Sequence, residues 1–261
     1  MVKYWNEQYH SPLKMKSAFK SHLKTTIKYI ALLAIYTPAS IAFSHAGSLS
    51  VSVVDKDGKP AVDAVVMVSP SAAGAASTTL PSALTLSQAN MQFSPAVALV
   101  QKGAKVTFVN NDPWDHHVRG TATGAKEFSS GAADGFSFRL AGKTSGTTSA
   151  PTSAAAAKIN SSVVSFDKAG VTLLACYLHG SMTGHVVVSD SPYAAKTDAN
   201  GMATFTDLPD GAAEVKIWHA AQFVDIAPTN STLKPGANQV KMQLTVTPKP
   251  LRRPVINNRD Y

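Results

Sequence analysis

The residues with the clearest chemical potential lie in one short segment, 175–182. It holds Cys176, the only cysteine among 261 residues, and continues with His179 three positions later and Met182 six positions later. A thiolate, an imidazole and a thioether are the soft and borderline donors that suit copper. Two histidines and a cysteine with a weak axial methionine form a trigonal copper site, so this segment offers three of the four donors.

The fourth donor has to come from a distant part of the chain, and the pair His116 and His117 is the candidate. A hydrophobic strand at 106–109 runs into a loop of Asn, Asp and Pro residues that leads to this pair. Because a shift of one residue turns a strand's side chains to its other face, these residues alone leave either histidine as the ligand. Zinc is the competing metal, but a thioether is a poor zinc ligand and the cysteine pairs of zinc sites are missing from the sequence.

The first 46 residues carry the features of a secretory signal peptide. Six lysines stand against one glutamate, an apolar stretch follows at 30–36, and Ser44 and Ala46 are the small residues expected before cleavage at Gly47. The apolar stretch is shorter than the roughly 20 residues that span a bilayer, and Pro38 interrupts it. We therefore expect export to the periplasm with no membrane span after cleavage, an uncleaved anchor being the alternative.

The composition after the signal indicates an exported protein without an internal disulfide. The remaining 18 basic and 15 acidic residues leave a net charge of +3, which is too small to favour nucleic acid as a partner. A single cysteine cannot pair within the chain, so Cys176 is a reactive group, a metal ligand or, in the simplest alternative, a small buried side chain. We expect a monomer.

From Gly47 onward the pattern predicts short strands and turns, and no stretch keeps a helical period. The expected fold class is therefore all-β. Three segments lack strand patterns. Residues 71–88 are predicted to be a linker, 141–160 a low-complexity surface insertion, and 248–261 an extended tail.

Residues 89–190 resemble the cupredoxins, the blue-copper proteins of the amicyanin and plastocyanin type. The pattern V-x-F-x-N, a short loop and H-x-V resembles their upstream ligand region, and C-x2-H-x2-M is similar to the amicyanin ligand loop. The resemblance implies a Greek-key β-sandwich that holds one type 1 copper ion. Its register assigns the ligand roles to His116, Cys176, His179 and Met182. His117 stands where the family has asparagine, and Gly180 stands where amicyanin has proline.

The two flanks of this segment resemble parts of a carboxypeptidase regulatory-like or transthyretin-like β-sandwich. The opening pattern V-x-D-x-D-G-K-P lies within 47–70, while its usual continuation, from T-D-x-x-G to L-P-x-G, follows at 197–211. We therefore predict a second, smaller and discontinuous sandwich made of residues 47–70 plus 191–247. The cupredoxin is inserted in this sandwich or joined to it, and insertion at surface loops is well tolerated.

The resemblance implies a periplasmic one-electron carrier that is not an enzyme. Its partner is expected to be a redox protein, such as a c-type cytochrome or a dehydrogenase, that docks transiently near His179. Two alternatives use the same residues: a copper-binding or delivery protein with a more open site, and a structural β-sandwich binding module. His185 is predicted to be a strand residue near the site, and His219 a structural residue.

Overall fold

The described residues belong to the unit Ser44–Tyr261. The computed structural model describes residues 47–74, 76, 79–123, 135–143 and 160–249. The predicted signal peptide, most of the predicted insertion and most of the predicted tail therefore lie outside the described residues. Every regular element in the described part is a β-strand, which confirms the all-β prediction. No helix in that part is long and apolar enough to cross a bilayer.

The central part of the chain forms two sheets that face each other. Its nine strands are β3 (Ala83–Ala89), β4 (Gln92–Ser94), β5 (Val97–Gln101), β6 (Ala104–Asn110), β7 (His116–Thr123), β8 (Phe136–Leu140), β9 (Ser161–Phe166), β10 (Gly170–Cys176) and β11 (Thr183–Ser189). One sheet has the order β4-β3-β6-β9 and the other the order β5-β11-β10-β7-β8. This central sandwich carries all the predicted metal ligands.

Alternating side chains from both central sheets fill the core between them. On β6 the inward residues Val106 and Phe108 are fully buried, and the Phe108 ring lies against Phe138 with 5.5 Å between ring centroids. Cys176 and Met182 belong to the same buried cluster. The donor loop is therefore attached directly to the hydrophobic core of the central sandwich.

Residues 83–89 differ from the prediction, which placed 71–88 in a linker. They form β3, which pairs in parallel with β6 and antiparallel with β4. The alternation that indicates a strand is weak in this segment. Only Leu84, Leu86 and Gln88 face inward, and the last of these is polar. The central sandwich therefore begins earlier in the chain than residue 89.

The flanking segments form two further sheets. Their strands are β1 (Gly47–Val54), β2 (Val65–Pro70), β12 (Tyr193–Lys196), β13 (Met202–Leu208), β14 (Gly211–Trp218), β15 (Thr229–Leu233) and β16 (Gly236–Gln243). The sheet orders are β13-β1-β16 and β12-β2-β14-β15. Both strands that precede the central part thus pair with strands that follow it, and the two sheets share a second hydrophobic cluster. We call this pair of sheets the outer sandwich.

A third hydrophobic cluster joins the central and outer sandwiches. It combines β5, β10 and β11 of the central part with β2, β12 and β14 of the outer part. On β2, Val66 and Val68 face the outer core, while Val65 and Met67 face this third cluster. An uninterrupted apolar run such as 65–68 is typical of a strand that is buried on both faces.

Candidate metal centre

His116 is placed by the buried side chain of Asn110, the last residue of β6. Asn110 Nδ2 donates to the carbonyl of Trp114 at 2.8 Å and to that of Ala141 at 3.0 Å, and its Oδ1 accepts from the backbone N–H of Asp112 at 2.9 Å. These bonds shape the loop between β6 and β7. His116 follows this loop as the first residue of β7 and is fully buried.

The other donors lie on a tight turn between β10 and β11. Cys176 ends β10, and two backbone hydrogen bonds close the turn: Met182 N–H to the His179 carbonyl at 2.9 Å, and Cys176 N–H to the Met182 carbonyl at 3.1 Å. Cys176 and Met182 are buried, whereas His179 is partly exposed. The turn thus presents a thiol and a thioether from the core side and an imidazole from the solvent side.

Three donor atoms converge on one point. Cys176 Sγ lies 3.6 Å from His116 Nδ1 and 3.5 Å from His179 Nδ1, and the two Nδ1 atoms are 3.1 Å apart. Nitrogen and sulfur donors that bind a metal such as zinc at about 2.0–2.3 Å would lie about 3.5–3.8 Å apart in a trigonal plane. The observed triangle is close to that size, so the donor set fits one metal ion with two nitrogens and one sulfur.

The pKa of the Cys176 thiol favours metal binding, whereas His116 has to lose a proton when a metal binds. Burial raises the pKa of the Cys176 thiol, but hydrogen bonds from His116, from the backbone and from His179 outweigh burial and lower this pKa to about 6. Burial lowers the pKa of His116, but its bonds to Cys176 and Asp112 outweigh burial and raise it. At neutral pH the sulfur is therefore held as the thiolate, the form that coordinates metals.

Asp112 fixes the orientation of the His116 ring. Its Oδ2 lies 2.9 Å from His116 Nε2, and because a carboxylate only accepts, Nε2 donates to Asp112 and Nδ1 is the ring atom that faces Cys176. The same carboxylate accepts the backbone N–H groups of Asn90 at 2.6 Å and Met91 at 3.0 Å. Such a carboxylate–histidine pair orients a metal ligand and makes it more basic.

The structure separates the two adjacent histidines. His116 lies in the donor triangle, whereas the His117 ring turns to the opposite face of β7, where Nε2 is 2.7 Å from Ser137 Oγ. The backbone carbonyl of His117 accepts the N–H of Tyr177 at 3.1 Å and so connects β7 to the donor turn.

Two further histidines of the described residues, His185 and His219, lie outside the donor set. The His185 ring on β11 contacts the Trp218 ring of β14 with 5.1 Å between centroids, as expected of a strand residue outside the donor set. His219 Nε2 donates to the Val62 carbonyl at 3.2 Å, and its Nδ1 accepts the Ala221 N–H. Sequence reasoning missed Asp112, although its position four residues before a candidate ligand was a usable signal.

The comparisons with known proteins agree with this geometry. Residues 81–189 match the family of copper binding proteins of the plastocyanin/azurin type. This part of the chain is therefore similar to the cupredoxins, and two imidazole nitrogens with one thiolate are the donor types of a type 1, or blue, copper site. The match also includes β3, in agreement with the earlier start of the central sandwich. No curated protein matches the chain.

Solved structures similar to the chain include several cupredoxins. A pseudoazurin from Sinorhizobium meliloti is 25% identical, with 42% of this chain and 75% of that chain covered and a TM-score of 0.28. Amicyanin from Paracoccus versutus is 18% identical over 47% of this chain and 97% of its own, with a TM-score of 0.29. A copper-containing nitrite reductase from Thermus scotoductus is 22% identical over 46% and 25%, with a TM-score of 0.30.

Proposed function

We propose that the protein is a periplasmic carrier of single electrons. In this proposal His116, Cys176 and His179 are the equatorial copper ligands, and the buried Met182 is the axial ligand. The observation that carries the proposal is the triangle of two Nδ1 atoms and one thiolate sulfur, with sides of 3.1–3.6 Å, in which His116 and Cys176 are buried. Copper bound by such a set supplies a one-electron couple.

The chain's own contribution is a site that is already in position before an electron moves. The Asp112 carboxylate holds His116, and the closed β10–β11 turn holds Cys176 and Met182. Val118 and Leu174 are fully buried beside these ligands in the same cluster and keep solvent away. Ligands that are held in place do not move when the copper ion gains or loses an electron. Rapid electron transfer requires such a fixed donor set.

The partly exposed His179 gives the proposed partner its access. Its neighbours Tyr177 and Leu178 are 56% and 52% exposed, so two large apolar side chains surround the solvent side of the donor turn. Exposed apolar groups beside a redox ligand favour a small, short-lived contact with another redox protein. A c-type cytochrome or a dehydrogenase is the proposed class of partner.

The visible spectrum of the purified mature protein with Cu(II) tests this function. We expect an intense thiolate-to-copper charge-transfer band that is lost in Cys176→Ser and in His116→Gln. The matched control His117→Gln should keep the band, because the His117 ring lies on the other face of β7. A colourless protein that exchanges Cu(I) readily would favour copper delivery instead, and a protein that retains no copper would contradict both.

We further propose that residues 47–70 and 191–247 form one discontinuous domain of the transthyretin-like type. The pairing of β1 with β13 and β16, and of β2 with β12 and β14, supports this proposal. Limited proteolysis within 71–82 should leave the two halves associated, whereas release of 47–70 from a folded 191–247 would contradict it. For the proposed export, the mature protein recovered from the periplasm should begin at Gly47.

A further inference from the structure

Among the described residues, the contact with the outer sandwich involves only β5, β11 and β10 of one cupredoxin sheet. On the outward face of the sheet β5-β11-β10-β7-β8, the residues Val97, Val171 and Val187 lie in the cluster shared with the outer sandwich. The outward side chains of β7 and β8 continue this face beyond the cluster, and Arg119 and Arg139 are exposed there. The part of this face on β7 and β8 therefore borders an established interface and lies beside the donor turn.

Tyr177 connects this part of the face to the metal centre. It is bonded to Cys176 in the chain, and its ring contacts the His117 ring at 5.4 Å between centroids. The guanidinium carbon of Arg119 lies 5.3 Å from the centre of the same ring. We call the set His117, Arg119, Ser137, Arg139 and Tyr177 the lateral face.

Both charged side chains of the lateral face, Arg119 and Arg139, are cationic. Arg139, whose side chain is 68% exposed, forms an ion pair with Asp115 at 2.7 Å. Arg119 has no carboxylate within ion-pair distance among the described residues and instead lies over the Tyr177 ring. An exposed guanidinium that lies over an aromatic ring keeps its hydrogen-bond donors available for a carboxylate of another molecule.

We propose that the lateral face is the docking surface for a redox protein whose own contact surface is acidic. The inference rests on the proposed electron-carrier function and names the side of the domain on which the partner sits. One electron would pass between the partner's redox centre and the copper site, so that one centre is oxidised as the other is reduced. Opposite charges on the two surfaces raise the rate of association, and salt screens this effect.

Stopped-flow reduction of the oxidised copper protein tests the charge of the partner. The probe is a reduced plant-type [2Fe–2S] ferredoxin, an acidic one-electron donor, and hexaammineruthenium(II) is the cationic comparison. With ferredoxin we expect the wild-type rate constant to fall as salt rises. Arg119→Glu should lower it about tenfold at low salt and much less at high salt. The ruthenium rate should not fall in this variant.

Lys105→Glu is the matched control, since it makes the same charge change at an exposed position near the start of β6, the strand that ends near the copper site. It should alter the ferredoxin rate less than twofold. Equal slowing by both variants would mean that only net charge matters, and no slowing by Arg119→Glu would remove the proposed surface. Either result overturns the inference.

A second measurement needs no variant. Redox-inactive hexacyanochromate(III), a trivalent anion, should broaden the backbone amide signals of residues 117–121, 137–139 and 177 in the NMR spectrum of the Cu(I) protein. Broadening centred elsewhere would overturn the inference. The outcomes separate the two proposals. Absence of the blue band from the wild-type protein would contradict the proposed function. A blue band together with NMR broadening elsewhere would contradict only the docking surface.

Discussion

At the scale of single residues, Asp112 is the side chain on which the order of the copper site most depends. Its carboxylate accepts three hydrogen bonds: from the His116 ring and from the backbone N–H groups of Asn90 and Met91. Those two residues have φ of 54° and 56°, a left-handed conformation that non-glycine residues adopt at a cost of about 1–2 kcal/mol each. One carboxylate therefore offsets the cost of the β3–β4 turn and orients the proposed copper ligand His116.

Replacing Asp112 by asparagine tests this dual role. The amide keeps the size of the side chain but places an NH2 group where one of the three donors now points, so at least one bond is lost. We expect copper affinity to fall about 10- to 100-fold. Competition titration with a chelator measures the affinity. Asp167→Asn, in the exposed turn before β10, is the control and should leave the affinity unchanged.

The metal chemistry of the donor turn could be predicted from the sequence, whereas the side chains that orient its ligands could not. A lone cysteine with His179 and Met182 at short spacing limits the chemistry, because few metals accept all three donor types. The choice of His116 over His117 needed a family register, since alternation alone allows a slip of one residue. Asp112 was missed because its partners Asn90 and Met91 are distant in the chain and are brought near only by the β3–β6 pairing.

At the scale of elements, the loop before His116 fits closely against the end of β8. A Cβ at Gly142 would collide with the backbone of Pro113 and Trp114, and no side-chain rotation relieves a collision with backbone. At Gly180, on the donor turn, a Cβ would meet nothing within 4 Å. A side chain would therefore fit at position 180 of the donor turn, whereas packing requires glycine at position 142.

These two glycines form a matched pair of variants. Gly142→Ala should shift the β6–β7 loop, lower the free energy of unfolding by about 1–3 kcal/mol and alter the charge-transfer band. Gly180→Ala should change neither quantity appreciably. Chemical unfolding and the visible spectrum measure the two effects, and an unchanged spectrum in Gly142→Ala would show that the loop does not control the position of His116.

His185 makes the contact between β11 and β14 sensitive to pH. Burial, with a smaller contribution from the charge of His219, lowers its pKa from 6.5 to about 4. Between these values the unfolded chain binds a proton that the folded protein excludes, so the free energy of unfolding falls as the pH falls. The stability is fully present above pH 6.5, and the loss reaches about 3 kcal/mol near pH 4.

The comparison with His185→Gln isolates this contribution from those of other titrating groups. The difference in unfolding free energy between wild type and variant should be constant above pH 7. Below pH 6.5 it should shift progressively in favour of the glutamine variant. Urea titrations at several pH values provide the measurement. If this difference stays constant down to pH 4.5, His185 binds its proton equally well in the folded protein and in the unfolded chain, and the prediction is wrong.

Strands with one buried face were predictable, and those with two buried faces were predictable only in part. Alternation marked β1 and β16 because one face of each strand is polar. The apolar runs of β2 and β5 indicated strands, but the covering of their second faces was not predicted. Consecutive apolar residues indicate that both faces of a strand are buried, since a strand with one exposed face has polar residues at alternate positions. The contact between the sandwiches was thus present in the pattern but not recognised there.

At the scale of the whole molecule, the third hydrophobic cluster links the stability of the two sandwiches. Trp218 is its largest member and is 6% exposed. We expect the wild-type protein to lose the blue band and its β-sheet signal in circular dichroism in one common transition, because unfolding either sandwich exposes this cluster.

Trp218→Ala should separate the two transitions. It removes the main contact of the shared cluster, and a buried tryptophan replaced by alanine costs about 3–5 kcal/mol. Urea unfolding followed by both signals gives the measurement. Phe223→Ala is the control, since Phe223 is 93% exposed and its loss should leave the midpoints unchanged. Coincident transitions in Trp218→Ala would indicate that other contacts couple the sandwiches.

The point where the cupredoxin leaves and rejoins the outer sandwich has a consequence for the order of folding. β2 ends at Pro70, and β12 returns with Tyr193 paired to Val68, so the whole central part closes a loop between neighbouring strands. Closing so long an unfolded loop costs entropy before any contact is gained. Once the cupredoxin has folded, its two ends are already near each other, so little further entropy is lost when β2 and β12 pair. The β2–β12 pair is therefore expected to form late, after the copper-binding part is complete.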